Sequence, residues 1–148
     1  YTSEGTHELE ASVMDGRNLG CGAVTMVTNV KNPVLAAKEV LLNSPHIMLG
    51  GAAAEAVAEK AGLPPVANAF FDTPGRLASL QRHLAAVAKG APAWNAGEAM
   101  ESGEARMPTE ATSEGEGGTG TVGAVVWVEG AGVAAATSTG GRTGKPPR

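Results

Sequence analysis

The feature that most constrains this chain is an apolar segment that follows Thr121. Residues 114–120, immediately before Thr121, form a tract rich in glycine and glutamate. Residues 122–128 are apolar on both faces, which predicts a central strand covered on two sides. The turn residues 129–132 (Glu-Gly-Ala-Gly) lead into a second predicted strand at residues 133–139. Together the two strands predict a β-hairpin.

This hairpin brings two threonines together. If its turn is centred near Gly130, Thr121 lies opposite Thr139 or one residue away from it. Directly opposed residues share a face of the sheet, with Cβ atoms about 5 Å apart. Paired threonines are common in sheets for hydrogen bonding alone, so the pair by itself does not define a site. A threonine that directly follows a flexible glycine-rich tract is nevertheless well placed to become a new N-terminus when the chain is cleaved before it.

A free N-terminal threonine carries its own base. Its α-amine has a pKa of about 7.7–8.0 and can accept the proton of the hydroxyl group. Thr121 is therefore a candidate nucleophile that cleavage between Gly120 and Thr121 would release. On Gly-Thr alone an ordinary strand after a loop is the commoner interpretation, so the rest of the sequence has to support the hypothesis.

Composition excludes several classes of function. A length of 148 residues is enough for one domain with a hydrophobic core. The net charge of −4 does not suggest the basic surface that nucleic-acid binding needs. No apolar run approaches the ~20 residues that span a bilayer, so we expect neither nucleic acid nor a membrane as partner. The single cysteine excludes an internal disulfide and fits a cytoplasmic protein. The three histidines are not spaced like metal ligands, so we expect no metal site. The glycine-rich tract lacks the lysine of a phosphate-binding loop, so we expect no nucleotide or other cofactor.

Local signals divide the rest of the chain into elements. Residues 8–27 predict a β-hairpin, and residues 91–119 lack periodicity and predict a mobile linker. A helix is expected between the Asn-Pro at residues 32–33 and the Asn-Ser-Pro at residues 43–45. Its apolar side is predicted to hold Val34, Leu35, Val40, Leu41 and Leu42. Further elements are expected as a strand at 46–49, a helix at 52–61 and a helix from Thr73 to Gly90 whose stripe is Leu77, Leu80, Leu84 and Val87.

Several blocks, taken in order, resemble a known family. They lie at residues 6–16 (Thr-His-Glu-Leu-Glu-Ala-Ser-Val-Met-Asp-Gly), 21–24, 31–37, 44–49, 50–55, 120–125 and 134–141. The chain resembles the plant-type L-asparaginase / isoaspartyl aminopeptidase (β-aspartyl peptidase) family of N-terminal-nucleophile hydrolases. The likeness covers residues 5–89 and 120–148 and leaves only the linker unmatched.

The resemblance implies an α+β fold with αββα layers, made as one inactive precursor. The Thr121 hydroxyl would attack the Gly120 carbonyl, and the ester would be hydrolysed to give two subunits. Residues 1–90 would form most of the α-subunit-like part and residues 120–148 the start of the β-subunit-like part. The freed Thr121 would attack asparagine or isoaspartyl dipeptides, and Thr139 would support it with its hydroxyl. The family also implies a dimer of cleaved α/β pairs.

The sequence departs from the family pattern at both ends. The pattern begins with a strand and helix ahead of Tyr1, and after the position of Arg148 it supplies an Asp for the substrate and oxyanion donors. We therefore expect an incomplete fold, without the first strand and helix and the C-terminal half of the β subunit, and an inactive chain. Arg148 matches the arginine that binds the substrate carboxylate, although the spacing is one residue short, and a solvated terminal charge is an equally good interpretation.

Two further functions stay open at this point. One is a non-enzymatic fragment or pseudoenzyme that acts only through association with other subunits. The other is a glycosylasparaginase or threonine aspartase, although the residues after Thr121 and the block at 6–16 favour the plant-type branch. A small-molecule substrate, asparagine or an isoaspartyl dipeptide, is the expectation of the first hypothesis.

Overall fold

The computed structural model describes residues 1–90 and 121–147. These residues form a five-stranded mixed sheet with helices, so the predicted α+β class is confirmed. In chain order the elements are β1 (Leu9–Asp15), β2 (Gly20–Val27), α1 (Pro33–Asn43), β3 (Met48–Gly50), α2 (Gly51–Lys60), a 3₁₀ turn (Asn68–Phe71), α3 (Pro74–Ala88), β4 (Val122–Val128) and β5 (Gly132–Thr139). The predicted linker, Gly120 and Arg148 lie outside the described residues.

The sheet joins the two ends of the sequence. Its strand order is β3-β2-β1-β5-β4, with β2 and β3 parallel and the other neighbours antiparallel. The predicted hairpins β1–β2 and β4–β5 are therefore both present, and β5 lies between β1 and β4. At the far end the two hairpin turns meet, because the Gly16 amide donates to the Val133 carbonyl at 2.7 Å.

A bulge interrupts the β1–β2 ladder. Leu9 pairs with Val27 but Ala11 pairs with Val24, so two residues of β2 oppose one residue of β1. Met26, inside the bulge, has a left-handed φ of 56°. The extra residue brings both Val24 and Val27 into the core, where their exposed fractions are 1% and 0%.

Helix α1 packs through small residues, which corrects the predicted apolar side. Its buried residues are Pro33, Ala36, Ala37 and Val40, whereas Leu35 and Leu42 are 42% and 61% exposed. The physical reason lies in β2, where a Cβ at Gly22 would collide with the Ala37 carbonyl oxygen. The helix backbone therefore lies so close to the sheet that alanine fits between them and leucine does not.

The core forms where α1 and α2 cover β1 and β2. Its buried residues are Ala11, Val24, Val27, Val30, Ala36, Ala37, Val40, Ala54 and Ala58. Helix α3 contributes less than its predicted stripe suggests, because only Leu80 is buried and Leu77 and Leu84 are 43% and 41% exposed. The chain before α3 is held by Asn68, whose side chain bonds the His7 amide and carbonyl, each at 2.8 Å, and the Thr28 carbonyl at 2.9 Å.

Strand β4 is at the edge of the sheet, so its predicted position as a covered central strand is wrong. All its residues are exposed, with Val125 at 76% and Trp127 at 67%. An apolar pattern on both faces does not distinguish a central strand from an edge strand, and here α1 lies over β2 and β1 instead of the hairpin. A groove of about 570 Å³ separates α1 from the hairpin, lined mainly by apolar residues such as Val34, Leu41 and Val126.

Candidate active site

The two threonines meet at the open end of the β4–β5 hairpin. Val122 pairs with Ser138, so Thr121 lies opposite Thr139, as the predicted turn requires. The Thr121 Oγ1 donates a hydrogen bond to the Thr139 Oγ1 at 3.0 Å. Alternation of side chains places both hydroxyls on the face of the sheet opposite α1 and the apolar groove. Thr121 is an exposed residue among those that the structure describes.

A second donor fixes the Thr139 hydroxyl. The Gly141 amide also donates to the Thr139 Oγ1, at 3.0 Å. A hydroxyl oxygen has two lone pairs, so these two donors occupy its acceptor capacity and direct its own hydrogen elsewhere. Gly141 has a φ of 70°, a conformation that glycine adopts without strain. Thr139 is thus oriented to accept the hydrogen bond from the Thr121 hydroxyl.

The neighbouring hydroxyls have other partners. Thr137 shares the face of Thr139 and contacts the Ser12 hydroxyl at 2.8 Å across β1 and β5. Ser138 lies on the other face of β5, and its hydroxyl donates to the Glu10 carbonyl at 3.3 Å. Both contacts tie β5 to β1 and support the position of Thr139 without touching Thr121.

Sequence analysis missed an ion cluster beside the threonines. The Lys145 Nζ lies 3.2 Å from the Glu10 Oε1, 3.7 Å from the Glu8 Oε2 and 3.1 Å from the Glu8 carbonyl oxygen. The exposed fractions of the Lys145 and Glu8 side chains are 13% and 7%. Glu10 is the cross-strand partner of Thr139, so the cluster lies next to the supporting hydroxyl. In the sequence Lys145 is flanked by Arg142 and Arg148, and no local signal links it to residues 8–10.

His7 has a packing role, consistent with its lack of ligand spacing. It is buried, its Nε2 lies 2.9 Å from the Asp72 Oδ1, and its ring lies 4.0 Å from the Tyr1 ring. The hydrogen bond from His7, followed by one from Tyr1, holds the pKa of Asp72 below its ordinary value. Within residues 1–90 and 121–147, no group of three or more His, Cys, Asp or Glu side chains could hold a metal ion, and no helix could cross a membrane.

Comparison with known proteins identifies the family. A family model described as Asparaginase matches residues 1–147. The chain belongs to this asparaginase family. The resemblance found in the sequence blocks is therefore confirmed.

Curated relatives in bacteria and plants agree with this assignment. The chain is 44% identical over 147 residues to "Isoaspartyl peptidase" of Salmonella typhimurium. This alignment covers 99% of the chain and 42% of the relative. It is 41% identical over 147 residues to "Isoaspartyl peptidase" of Escherichia coli, at 99% of the chain and 41% of the relative. It is 44% identical over 80 residues to "Probable isoaspartyl peptidase/L-asparaginase 2" of Arabidopsis thaliana, at 54% of the chain and 25% of the relative. The chain thus spans about two fifths of the two bacterial relatives.

Proposed function

We propose that this chain carries the nucleophile of a self-processing threonine amidohydrolase that releases ammonia from L-asparagine, cleaves isoaspartyl dipeptides, or does both. The observation that carries the proposal is the 3.0 Å hydrogen bond from the Thr121 hydroxyl to Thr139 at an exposed strand end. The names of the bacterial relatives, each called isoaspartyl peptidase, support the substrate class. Membership of the asparaginase family supports the reaction type.

The first step is processing of the precursor. The Thr121 Oγ attacks the Gly120 carbonyl carbon, the peptide C–N bond breaks, and the α-amine of Thr121 takes up the proton. Water then hydrolyses the resulting ester to give a Gly120 carboxylate and a free Thr121. Glycine suits the position before the cut because it tolerates unusual backbone angles. The products are residues 1–120, with the linker at their end, and a segment that begins at Thr121.

The second step is amide hydrolysis by the freed threonine. Its α-amine accepts the hydroxyl proton, and the Oγ attacks the side-chain carbonyl of asparagine or the β-linkage of an isoaspartyl dipeptide. The leaving nitrogen takes that proton and departs as ammonia or as the second amino acid. Water cleaves the β-aspartyl ester and restores Thr121. Thr139 holds the hydroxyl in line, and Arg148 binds the substrate carboxylate through its guanidinium group.

The proposal extends to architecture, assembly and location. Helices α1 and α2 cover one face of the sheet, which fits one half of an αββα arrangement. In that arrangement the face that carries Thr121 is turned toward a second sheet. We place the processed enzyme in the cytoplasm, in agreement with its single cysteine, as a dimer of cleaved α/β pairs. No cofactor takes part in the proposed chemistry.

A mass measurement tests the nucleophile directly. The polypeptide, at the full length that its gene encodes, is expressed as wild type and as Thr121→Ala. Intact-mass spectrometry should show a fragment that begins at Thr121 in the wild type and none in the variant, and ammonia release from asparagine should follow the same pattern. Cleavage at another bond, or equal activity in the variant, would contradict the assignment.

A second candidate function is association without catalysis. The exposed apolar residues of β4, among them Val125 and Trp127, favour it because such a surface commonly binds another polypeptide. The two functions differ in one result. A non-enzymatic subunit would hydrolyse neither asparagine nor isoaspartyl dipeptides, so the wild type would be as inactive as Thr121→Ala. An enzyme would be active as the wild type and inactive as Thr121→Ala.

A further inference from the structure

We propose that Lys145 is a positioning residue that holds the Gly141 turn, and through it the Thr139 hydroxyl, beside Thr121. This inference rests on the proposed function, because it concerns how the supporting threonine of that reaction is oriented. It adds a residue whose side chain touches neither threonine. The observations that carry it are the contacts of the Lys145 ammonium group with Glu8 and Glu10 and the position of its side chain beside Gly141.

The ammonium group of Lys145 has acceptors on two sides. It donates to the Glu8 carbonyl oxygen at 3.1 Å and to the Glu10 Oε1 at 3.2 Å, and it faces the Glu8 Oε2 at 3.7 Å. An ammonium group offers three donors. Two of them are used in the hydrogen bonds to Glu8 and Glu10, and the Glu8 carboxylate adds an ion pair at the longer distance. Lys145 is only 13% exposed, so the surrounding protein screens these contacts less than bulk water would.

The same ammonium group packs against Gly141. A Cβ on Gly141 would lie 3.1 Å from the Lys145 Nζ and 3.2 Å from its Cδ, so the end of the Lys145 side chain occupies the space beside Gly141 that another side chain would need. Gly141 is the residue whose amide donates to the Thr139 Oγ1 at 3.0 Å. Displacement of the ammonium group would therefore free the turn to move and would lengthen or misalign that hydrogen bond.

A second route runs through the sheet. Glu10 and Thr139 are directly opposed in the β1–β5 ladder and share a face. The bond from Lys145 to Glu10 thus anchors the end of the turn to the strand that flanks Thr139. Lys145 closes a ring that passes from Thr139 to Gly141, along the turn to Lys145, and back through Glu10. Such a closed ring restricts the Thr139 hydroxyl to one orientation.

The test combines a neutral variant, a conservative variant and a control. Lys145→Met removes the charge but keeps a long unbranched side chain, and Lys145→Arg keeps the charge. Lys38→Met is the matched control, because it makes the same change at an exposed lysine of α1. Each is compared in kcat and KM for an isoaspartyl dipeptide and in amide hydrogen exchange at Gly141, measured by NMR on uniformly labelled protein.

We expect a misplaced supporting hydroxyl to lower kcat about 10- to 100-fold in Lys145→Met, with KM changed less than about threefold. Exchange at Gly141 should become about tenfold faster or more in this variant. Lys145→Arg should recover most of both, and Lys38→Met should match the wild type. If Lys145→Met does not fold, Glu10→Gln, which weakens one acceptor only, should show the same two changes at smaller size.

Two results would overturn the inference. One is wild-type kcat and wild-type Gly141 exchange in folded Lys145→Met, or in Glu10→Gln if that variant carries the test. The other is an equal loss in Lys145→Met and Lys145→Arg, which would mean that the shape of lysine matters and its charge does not. Failure of the proposed function is a different outcome, since then Thr121→Ala equals the wild type while Gly141 exchange still reports on Lys145.

Discussion

The two halves of the sheet differ in how they are held. Around β2 and α1 the side chains are buried by packing, with Val24, Val27 and Val40 each no more than 1% exposed. The β4–β5 hairpin has almost no such burial, and Val125 is 76% exposed. Its order comes from the strand ladder with β1 and from contacts such as that between Ser12 and Thr137. The proposed nucleophile thus lies in the half that depends on hydrogen bonds.

This difference implies that substitutions in the two halves have different consequences. Around α1 a change of volume should act on the free energy of unfolding, because close-packed interiors respond to single methylene groups. In the hairpin a change of volume has space to be accommodated, whereas a change in hydrogen-bonding groups should act on the chemistry. Four experiments test whether the two halves of the sheet differ in this way.

The largest effect is expected at Thr139. Thr139→Val keeps the shape of the side chain and removes the acceptor for Thr121 and Gly141. The hydrolysis rate should fall about 10²-fold or more, because a nucleophile that is no longer held in its productive position reacts that much more slowly. The free energy of unfolding should change by less than about 1 kcal/mol, because water can replace the hydroxyl at an exposed strand end. Steady-state kinetics and urea unfolding measure the two, and a large loss of stability would contradict the comparison.

Gly22→Ala should be the most destabilising of the simple changes. Its Cβ would meet the Ala37 carbonyl oxygen and, at 2.5 Å, the Leu41 amide nitrogen, which are backbone atoms that cannot rotate away. We expect a loss of about 3 kcal/mol, at the upper end of the usual cost of overpacking. The matched variant is Gly123→Ala on β4, where the nearest side-chain atom would lie at 3.4 Å and an effect within about 0.5 kcal/mol is expected. Equal effects at both glycines would show that α1 is not closely packed.

A third pair of variants compares two valines. Val24→Ala removes two buried methyl groups and should cost about 2 kcal/mol, from lost burial and the cavity that remains. Val125→Ala, at an exposed position, should cost about 0.5 kcal/mol or less. Chemical denaturation of the two variants under one set of conditions provides the comparison. A cost at Val125 as large as that at Val24 would mean that another part of the polypeptide covers β4.

The smallest effect concerns the point where the two hairpin turns meet. Hydrogen bonds from Arg17, one of them from its Nε at 3.0 Å, hold the pKa of Asp15 to about 2. A carboxyl whose pKa is lowered on folding stabilises the protein above its ordinary pKa, near 3.8, and this contribution is lost as the pH falls toward 2. An NMR titration should therefore find Asp15 ionised at pH 3. In Arg17→Met its pKa should rise toward the ordinary value, and an unchanged pKa would exclude Arg17 as the cause.

Local signals predicted most of the elements. Asn32-Pro33 marks the start of α1 because proline fits the first helical turn, although the Asn32 side chain makes no capping bond. The turn near Gly130 set the hairpin register and hence the proximity of Thr121 and Thr139, whose catalytic roles stay predictions. These successes share a cause, since each depends on residues close together in the sequence.

Contacts between distant residues could not be derived in this way. The pairing of β5 with β1 joins residues on both sides of residues 91–120, and the bonds of Lys145 to Glu8 and Glu10 span more than 130 residues. The close approach of α1 to Gly22 depends on the distance between a helix and a sheet, which periodicity does not encode. For the same reason an apolar pattern could not tell that β4 lies at the edge.

The strand order has a practical consequence for any break in the chain near residue 120. Because β5 lies between β1 and β4, the segment that begins at Thr121 is joined to the rest of the sheet through its second strand, by the six residue pairs of the β1–β5 ladder. Separation of the two pieces would require the backbone hydrogen bonds of the β1–β5 ladder, inside the sheet, to be broken. Residues 1–120 and the segment from Thr121 onward could therefore be co-expressed from separate genes to reconstitute the sheet, and removal of the initiator methionine would then free the Thr121 amine without self-cleavage.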